Sequence, residues 1–136
     1  MLATESWKIK FDERYPIYQQ IIQQFSRSLV KGDLKPGDRI PSIREMAVIL
    51  KVNTNTIQRA YQEMERDEMI FSRRGTGYFI MENDQIVENI RDKIVGESMA
   101  RFLEEMRALG FSDGDILSEL KDRLEKGDGG NDSADN

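Results

Sequence analysis

The stretch Pro41-Ser42-Ile43-Arg44-Glu45-Met46-Ala47-Val48-Ile49-Leu50-Lys51-Val52-Asn53-Thr54-Asn55-Thr56-Ile57-Gln58-Arg59-Ala60-Tyr61-Gln62-Glu63-Met64 decides the fold. Ser42 stands three residues before Glu45, a capping box in which each side chain satisfies a backbone N–H of the other residue, so a helix opens there. Its apolar positions Ile43, Met46, Ala47 and Leu50 fall at i, i+3, i+4 and i+7, one face of a helix. Lys51-Val52-Asn53 makes a tight turn. A further helix starts near Thr54, and Ile57, Ala60, Tyr61 and Met64 repeat the same spacing. Two short amphipathic helices joined by three or four residues predict a helix-turn-helix.

Working outward, Pro16 suits the first turn of a preceding helix, where its missing N–H costs nothing. Tyr18, Ile21, Ile22, Phe25 and Leu29 give that helix one apolar stripe, and Gly32 ends it. Lys8-Ile9-Lys10-Phe11 alternates polar and apolar, which predicts a short strand or extended arm. Gly32 to Asp38 is a turn-rich connector. On the other side, Met69-Ile70-Phe71-Ser72 and Tyr78-Phe79-Ile80-Met81 flank Arg73-Arg74-Gly75-Thr76-Gly77, which predicts a hairpin with a basic tip. Three helices followed by such a hairpin is the order of a winged helix-turn-helix.

From Asp84 the pattern is helical again. Ile90, Ile94 or Val95, Met99, Phe102, Met106 and Leu109 alternate steps of three and four, the spacing of a helix packed on another helix. Gly110 stops it, and Ser112 with Asp115 recaps a shorter helix bearing Ile116, Leu117, Leu120 and Leu124. Two such helices cannot bury all these faces within one subunit, so Ile94, Val95, Met99, Phe102, Met106, Leu109, Ile116, Leu120 and Leu124 are the expected dimer contacts. The expected class is α+β, mostly helical. A winged helix-turn-helix over 1–83 is followed by a two-helix dimerisation segment over 84–126 and a disordered acidic tail over 127–136.

Composition narrows the function. The chain of 136 residues has no His and no Cys. That removes disulfides, thiolate nucleophiles, Ser-His triads and imidazole bases together, so no enzyme, metal or cofactor is expected. No apolar run is long enough to span a membrane and no secretory leader is visible, which places the expected site of action in the cytoplasm, away from membranes. The net charge of -5 divides unevenly: residues 1 to 83 carry thirteen Lys+Arg against eleven Asp+Glu, and residues 84 to 136 carry seven against fourteen. A net of +2 beside a net of -7 fits a DNA-facing part joined to an acidic part held away from phosphates.

The candidate binding residues are those at the exposed helix start and the hairpin tip. Asn53, Thr54, Asn55, Thr56, Gln58 and Arg59 form a polar entrance to the third helix. Asn and Gln can read adenine edges, and Thr reaches phosphates or the thymine methyl. Capping accounts for Asn53 or Thr54 but not for all six. Arg44 lies off the apolar face of the second helix and can pair with phosphate or guanine. Arg73, Arg74, Gly75 and Thr76 form a tip suited to the minor groove and its phosphates, although such a tip also occurs in ordinary hairpins with charge-protected edges.

Three motifs in this region resemble the GntR family of bacterial transcription factors. Leu34-Lys35-Pro36-Gly37-Asp38-Arg39-Ile40-Pro41-Ser42-Ile43-Arg44-Glu45-Met46-Ala47 is similar to the opening of its DNA-binding domain. Val52 to Tyr61 resembles its recognition helix and Arg74 to Ile80 its wing. About fifty residues follow the wing, too few for a metabolite-binding or aminotransferase-like domain, and the short helical tail resembles the YtrA subfamily. The resemblance implies a homodimeric repressor on a palindromic operator, with Arg44, Thr54, Asn55, Thr56, Gln58, Arg59, Arg74 and Gly75 at positions that touch DNA. Thr54 stands where relatives often have proline, and Gln58 where many have arginine. It implies no particular small-molecule effector, and a two-helix tail offers little volume for one. The alternative reading is a winged-helix module that binds another protein. Such a surface carries more exposed aromatic anchors than this one.

Overall fold

The computed structural model describes residues 7–127. The order is α1 (Ile17–Lys31), β1 (Arg39–Ile40), α2 (Ile43–Leu50), α3 (Thr54–Arg66), β2 (Ile70–Arg73), β3 (Gly77–Ile80), α4 (Asp84–Ala108) and α5 (Asp113–Glu125). Helices predominate, with one antiparallel sheet in the order β1-β3-β2. This is the α+β class and the winged helix-turn-helix order that the patterning predicts. Among the described residues no helix is long and apolar enough to cross a membrane.

Two compact units divide between Lys93 and Ile94. In the first, Ile21, Phe25 and Leu29 of α1, Met46 and Ala47 of α2, and Ile57, Ala60, Tyr61 and Met64 of α3 meet Leu34, Ile40, Ile70 and Ile80 in one core. The four apolar positions expected of α3 are all buried. Trp7 joins this core from the N-terminal arm, its ring stacked 6.1 Å from that of Phe25. The division falls at 93/94 rather than at 83/84 because Val87 and Ile90, in the first turns of α4, pack against the winged-helix core.

Local chemistry sets the joints. Ser42 and Glu45 form the expected capping box, at 3.1 and 2.8 Å. Lys51 adopts a left-handed conformation (φ 58°) at the end of α2, and the Val52 N–H donates to the Ala47 carbonyl at 3.1 Å, which turns the chain into α3. The Tyr61 hydroxyl donates to the Pro41 carbonyl at 2.6 Å and ties α3 to the start of α2.

Of the short strand or extended arm expected at Lys8–Phe11, the structure shows the arm. The hairpin gains a third strand that the patterning does not predict, from the two residues that follow the Gly32–Asp38 connector, with Arg39 opposite Phe79 and Ile40 opposite Tyr78. Two residues are too short a run for alternation to show.

In the second unit, Gly110 (φ 93°) ends α4, and the Phe111 N–H donates to the Met106 carbonyl. Ser112 and Asp115 form the expected capping box of α5. No residue of α4 is buried, and in α5 only Ile116 is. Of the tail expected over 127–136, all but Gly127 lies outside the described residues.

Candidate nucleic-acid interface

The polar entrance of α3 is assembled as the sequence places it, with its members in different states. Asn53 is the N-cap: its Oδ1 accepts from the Asn55 N–H at 2.7 Å. One side chain therefore fixes the helix start, and the remaining five are not needed for it. Thr54, Asn55 and Gln58 are exposed, and among the described residues their side chains have no hydrogen-bond partner within the protein. Thr56 is half-buried beside Ile57. Asn55, Gln58 and Arg59 line one shallow depression with Gln62, Glu63 and Arg66. Gln62 continues the Asn55–Gln58 stripe at i+4 and belongs to this face. The helical periodicity of α3 is the sequence signal that places Gln62 there.

Arg59 is held back against its own domain. Its guanidinium lies 4.0 Å over the Tyr18 ring, donates to the Tyr18 hydroxyl at 3.1 Å and stands 3.6 Å from the Glu63 carboxylate. Arg66 approaches the other oxygen of Glu63 at 3.7 Å. Glu63 is thus neutralised by two cations on a face otherwise free of acidic charge toward Asn55. Arg44, by contrast, is exposed on the first turn of α2 and makes no ion pair among the described residues.

The wing is braced from both sides. β2 pairs with β3 from Ile70↔Ile80 to Arg73↔Gly77, leaving Arg74, Gly75 and Thr76 as the tip. The Thr76 N–H donates to the Arg73 carbonyl at 2.9 Å, and Gly75 sits at φ 75°, a value that favours glycine. Arg73 packs 4.9 Å from the Phe79 ring centre and 5.7 Å from that of Phe71. Its charge therefore stands on an aromatic pair at the base of the tip, while Arg74 is exposed and unpaired among the described residues. Arg39, from β1, donates to the Thr76 carbonyl at 3.2 Å. No sequence pattern marks Arg39 as a wing residue, because its strand is only two residues long. Ser72 donates to Glu65 at 3.2 Å and ties the wing to α3.

Residues 17–80, from α1 through the wing, match the family model for bacterial regulatory proteins of the gntR family. An HTH-type transcriptional regulator of Bacillus subtilis, YhcF, is 44% identical over 118 residues, which are 87% of this chain and 98% of that protein. The chain belongs to the GntR family. It is a DNA-binding transcriptional regulator. Two further relatives bear on this family member. The repressor YtrA of Bacillus subtilis is 52% identical over 68 residues, half of this chain and 52% of that protein. A GntR family transcriptional regulator from Listeria monocytogenes superposes with a TM-score of 0.78 at 38% identity, covering 82% of this chain and 98% of that one. The likeness to both YhcF and the Listeria regulator extends beyond the wing. Among the described residues no three His, Cys, Asp or Glu side chains are grouped to hold a metal ion.

Proposed function

We propose that this GntR regulator is a cytoplasmic repressor that binds a palindromic operator as a homodimer. Asn55 and Gln58 read base edges in the major groove, with Gln62 on the same face. Thr54 and Thr56 contact the backbone at the helix start, and Asn53 positions that start by capping it. Arg44 and Arg74 take phosphates, Arg73 supports the tip from its aromatic seat, and Gly75 and Thr76 let the wing backbone approach the minor groove. Arg59 joins the interface by leaving Tyr18.

One observation carries this reading. The first turns of α3 present Thr54, Asn55 and Gln58 without partners among the described residues, on a helix whose opposite face is buried. Hydrogen-bonding side chains held on a rigid helix, and left open, are what base-edge recognition requires. The name of the related YtrA supports repression. The exposed apolar side chains of α4 and α5 support self-association.

The test is selection of bound duplexes from random oligonucleotides, followed by anisotropy titration. A palindromic consensus is expected, with log K falling by about 0.9 per neutralised phosphate as log[salt] rises. Asn55→Ala is expected to cost about 1–3 kcal/mol on the consensus and far less on random DNA. Arg74→Ala is expected to weaken both alike and flatten the salt slope. A flat salt dependence in the unaltered protein, or equal losses for Asn55→Ala on both duplexes, contradicts these assignments.

A further inference from the structure

The N-terminal arm and the end of α2 border an open cleft that lies outside the proposed DNA-reading residues. It has a volume of about 520 Å³, within the usual range of small-molecule sites. It is lined by the apolar residues Trp7, Ile9 and Ile49 and by three cationic ones, Lys8, Lys10 and Lys51. No acidic side chain lines it among the described residues, and none of the three lysines forms an ion pair there. Three cations beside apolar side chains, with no carboxylate to neutralise them, are complementary to a molecule that is apolar at one end and anionic at the other.

A second observation concerns Trp7 itself. The residue is 2% exposed, and its Nε1–H has no acceptor among the described residues. An indole N–H buried to this degree lies out of reach of a molecule in the cleft, so Trp7 takes part through the edge of its ring alone.

The geometry points to a binding site for a small amphipathic carboxylate, its chain against Trp7, Ile9 and Ile49 and its charge among Lys8, Lys10 and Lys51. Lys51 is the left-handed C-cap of α2 and precedes the N-cap Asn53 by two residues. A ligand held by Lys51 therefore bears on the turn that sets the start of α3, which gives such a carboxylate a route to operator affinity. That consequence rests on the DNA reading above, whereas the binding itself is measured without DNA.

Trp7 is the chain's one tryptophan, so its emission reports this site alone. The full chain is titrated with octanoate, and with octylammonium as the cation of like size. A saturable change in Trp7 emission is expected with octanoate and none with octylammonium. In the Lys8→Gln/Lys51→Gln variant the octanoate Kd is expected to rise by about tenfold or more. Lys35→Gln, an exposed lysine outside the cleft, is expected to leave it unchanged, and circular dichroism of each variant checks that the fold is intact. No saturable change, an equal response to octylammonium, or indifference of the double variant overturns the site. A loss of operator salt dependence in that variant, with no octanoate response in the parent, would assign the lysines to DNA phosphates and also overturn it.

Discussion

Gly77 and Tyr61 show how single side chains hold the wing and α3 in place. Gly77 adopts φ 126°, and a Cβ there would lie 3.2 Å from the Arg39 Nε. Gly77→Ala is therefore expected to destabilise the domain by about 1–3 kcal/mol through backbone strain, with a further loss from displacing Arg39 off the Thr76 carbonyl. The double variant with Arg39→Ala has space for the methyl group, so urea denaturation should show the two losses to be less than additive. An additive result would mean that the two side chains do not press on each other. The Tyr61 hydroxyl is buried and donates to Pro41, and burial pushes its pKa well above that of a free tyrosine. The neutral form is favoured in the folded state, so the stabilisation is whole below about pH 10, where unfolded tyrosine titrates, and is lost as pH rises beyond it. Urea midpoints should fall between pH 9 and pH 11 in the parent and fall less in Tyr61→Phe. That variant itself is expected to lose about 1–2 kcal/mol at neutral pH.

At the scale of the elements, the two capping boxes make the clearest prediction. Glu45 and Asp115 accept the backbone N–H groups of Ser42 and Ser112, and these bonds hold both carboxyls below their usual range. A depressed pKa stabilises the fold above the unfolded value and is lost as pH falls through the folded one. Helix content should therefore decline on acidification below about pH 4, and less in Glu45→Gln, whose amide oxygen still accepts. Ser42→Ala is expected to cost about 1 kcal/mol in urea. These boxes, the α2–α3 turn and the hairpin were legible in the sequence because each rests on contacts within a few residues. β1 was not, because its two residues acquire meaning only when β3 returns beside them. Arg39 was missed for the same reason. The seat of Arg59 on Tyr18 spans 41 residues of sequence, and no local pattern could announce it. The start of α4 was likewise assigned to the tail, although Val87 and Ile90 serve the winged-helix core.

For the molecule as a whole, the exposed apolar faces of the tail pose the remaining question. Val95 and Met99 of α4 and Leu109 just after it are 42%, 49% and 72% exposed, and Leu117 and Leu124 of α5 are 70% and 62% exposed. Ile94, Phe102, Met106 and Leu120 are only half-buried. In the homodimer proposed above, a second copy would cover this apolar surface at least cost, since a two-fold axis repeats each face opposite itself. A dimer of this kind would set two recognition helices roughly 34–36 Å apart, in step with successive major grooves of a palindrome. One subunit alone would hold one half-site, with affinity near the non-specific level of roughly 10⁻⁴–10⁻⁶ M. Joining two half-sites raises affinity by about 10²–10⁴ through effective concentration. Phe102→Asp puts a charge into the middle of the expected seam without touching α3 or the wing. Sedimentation of the full chain should show a dimer for the parent and a monomer for Phe102→Asp. Anisotropy should show at least about a hundredfold loss on the palindrome and little change on a single half-site. A monomeric Phe102→Asp that binds the palindrome as tightly as the parent would mean that specificity resides in each winged domain alone, and that the tail serves another purpose.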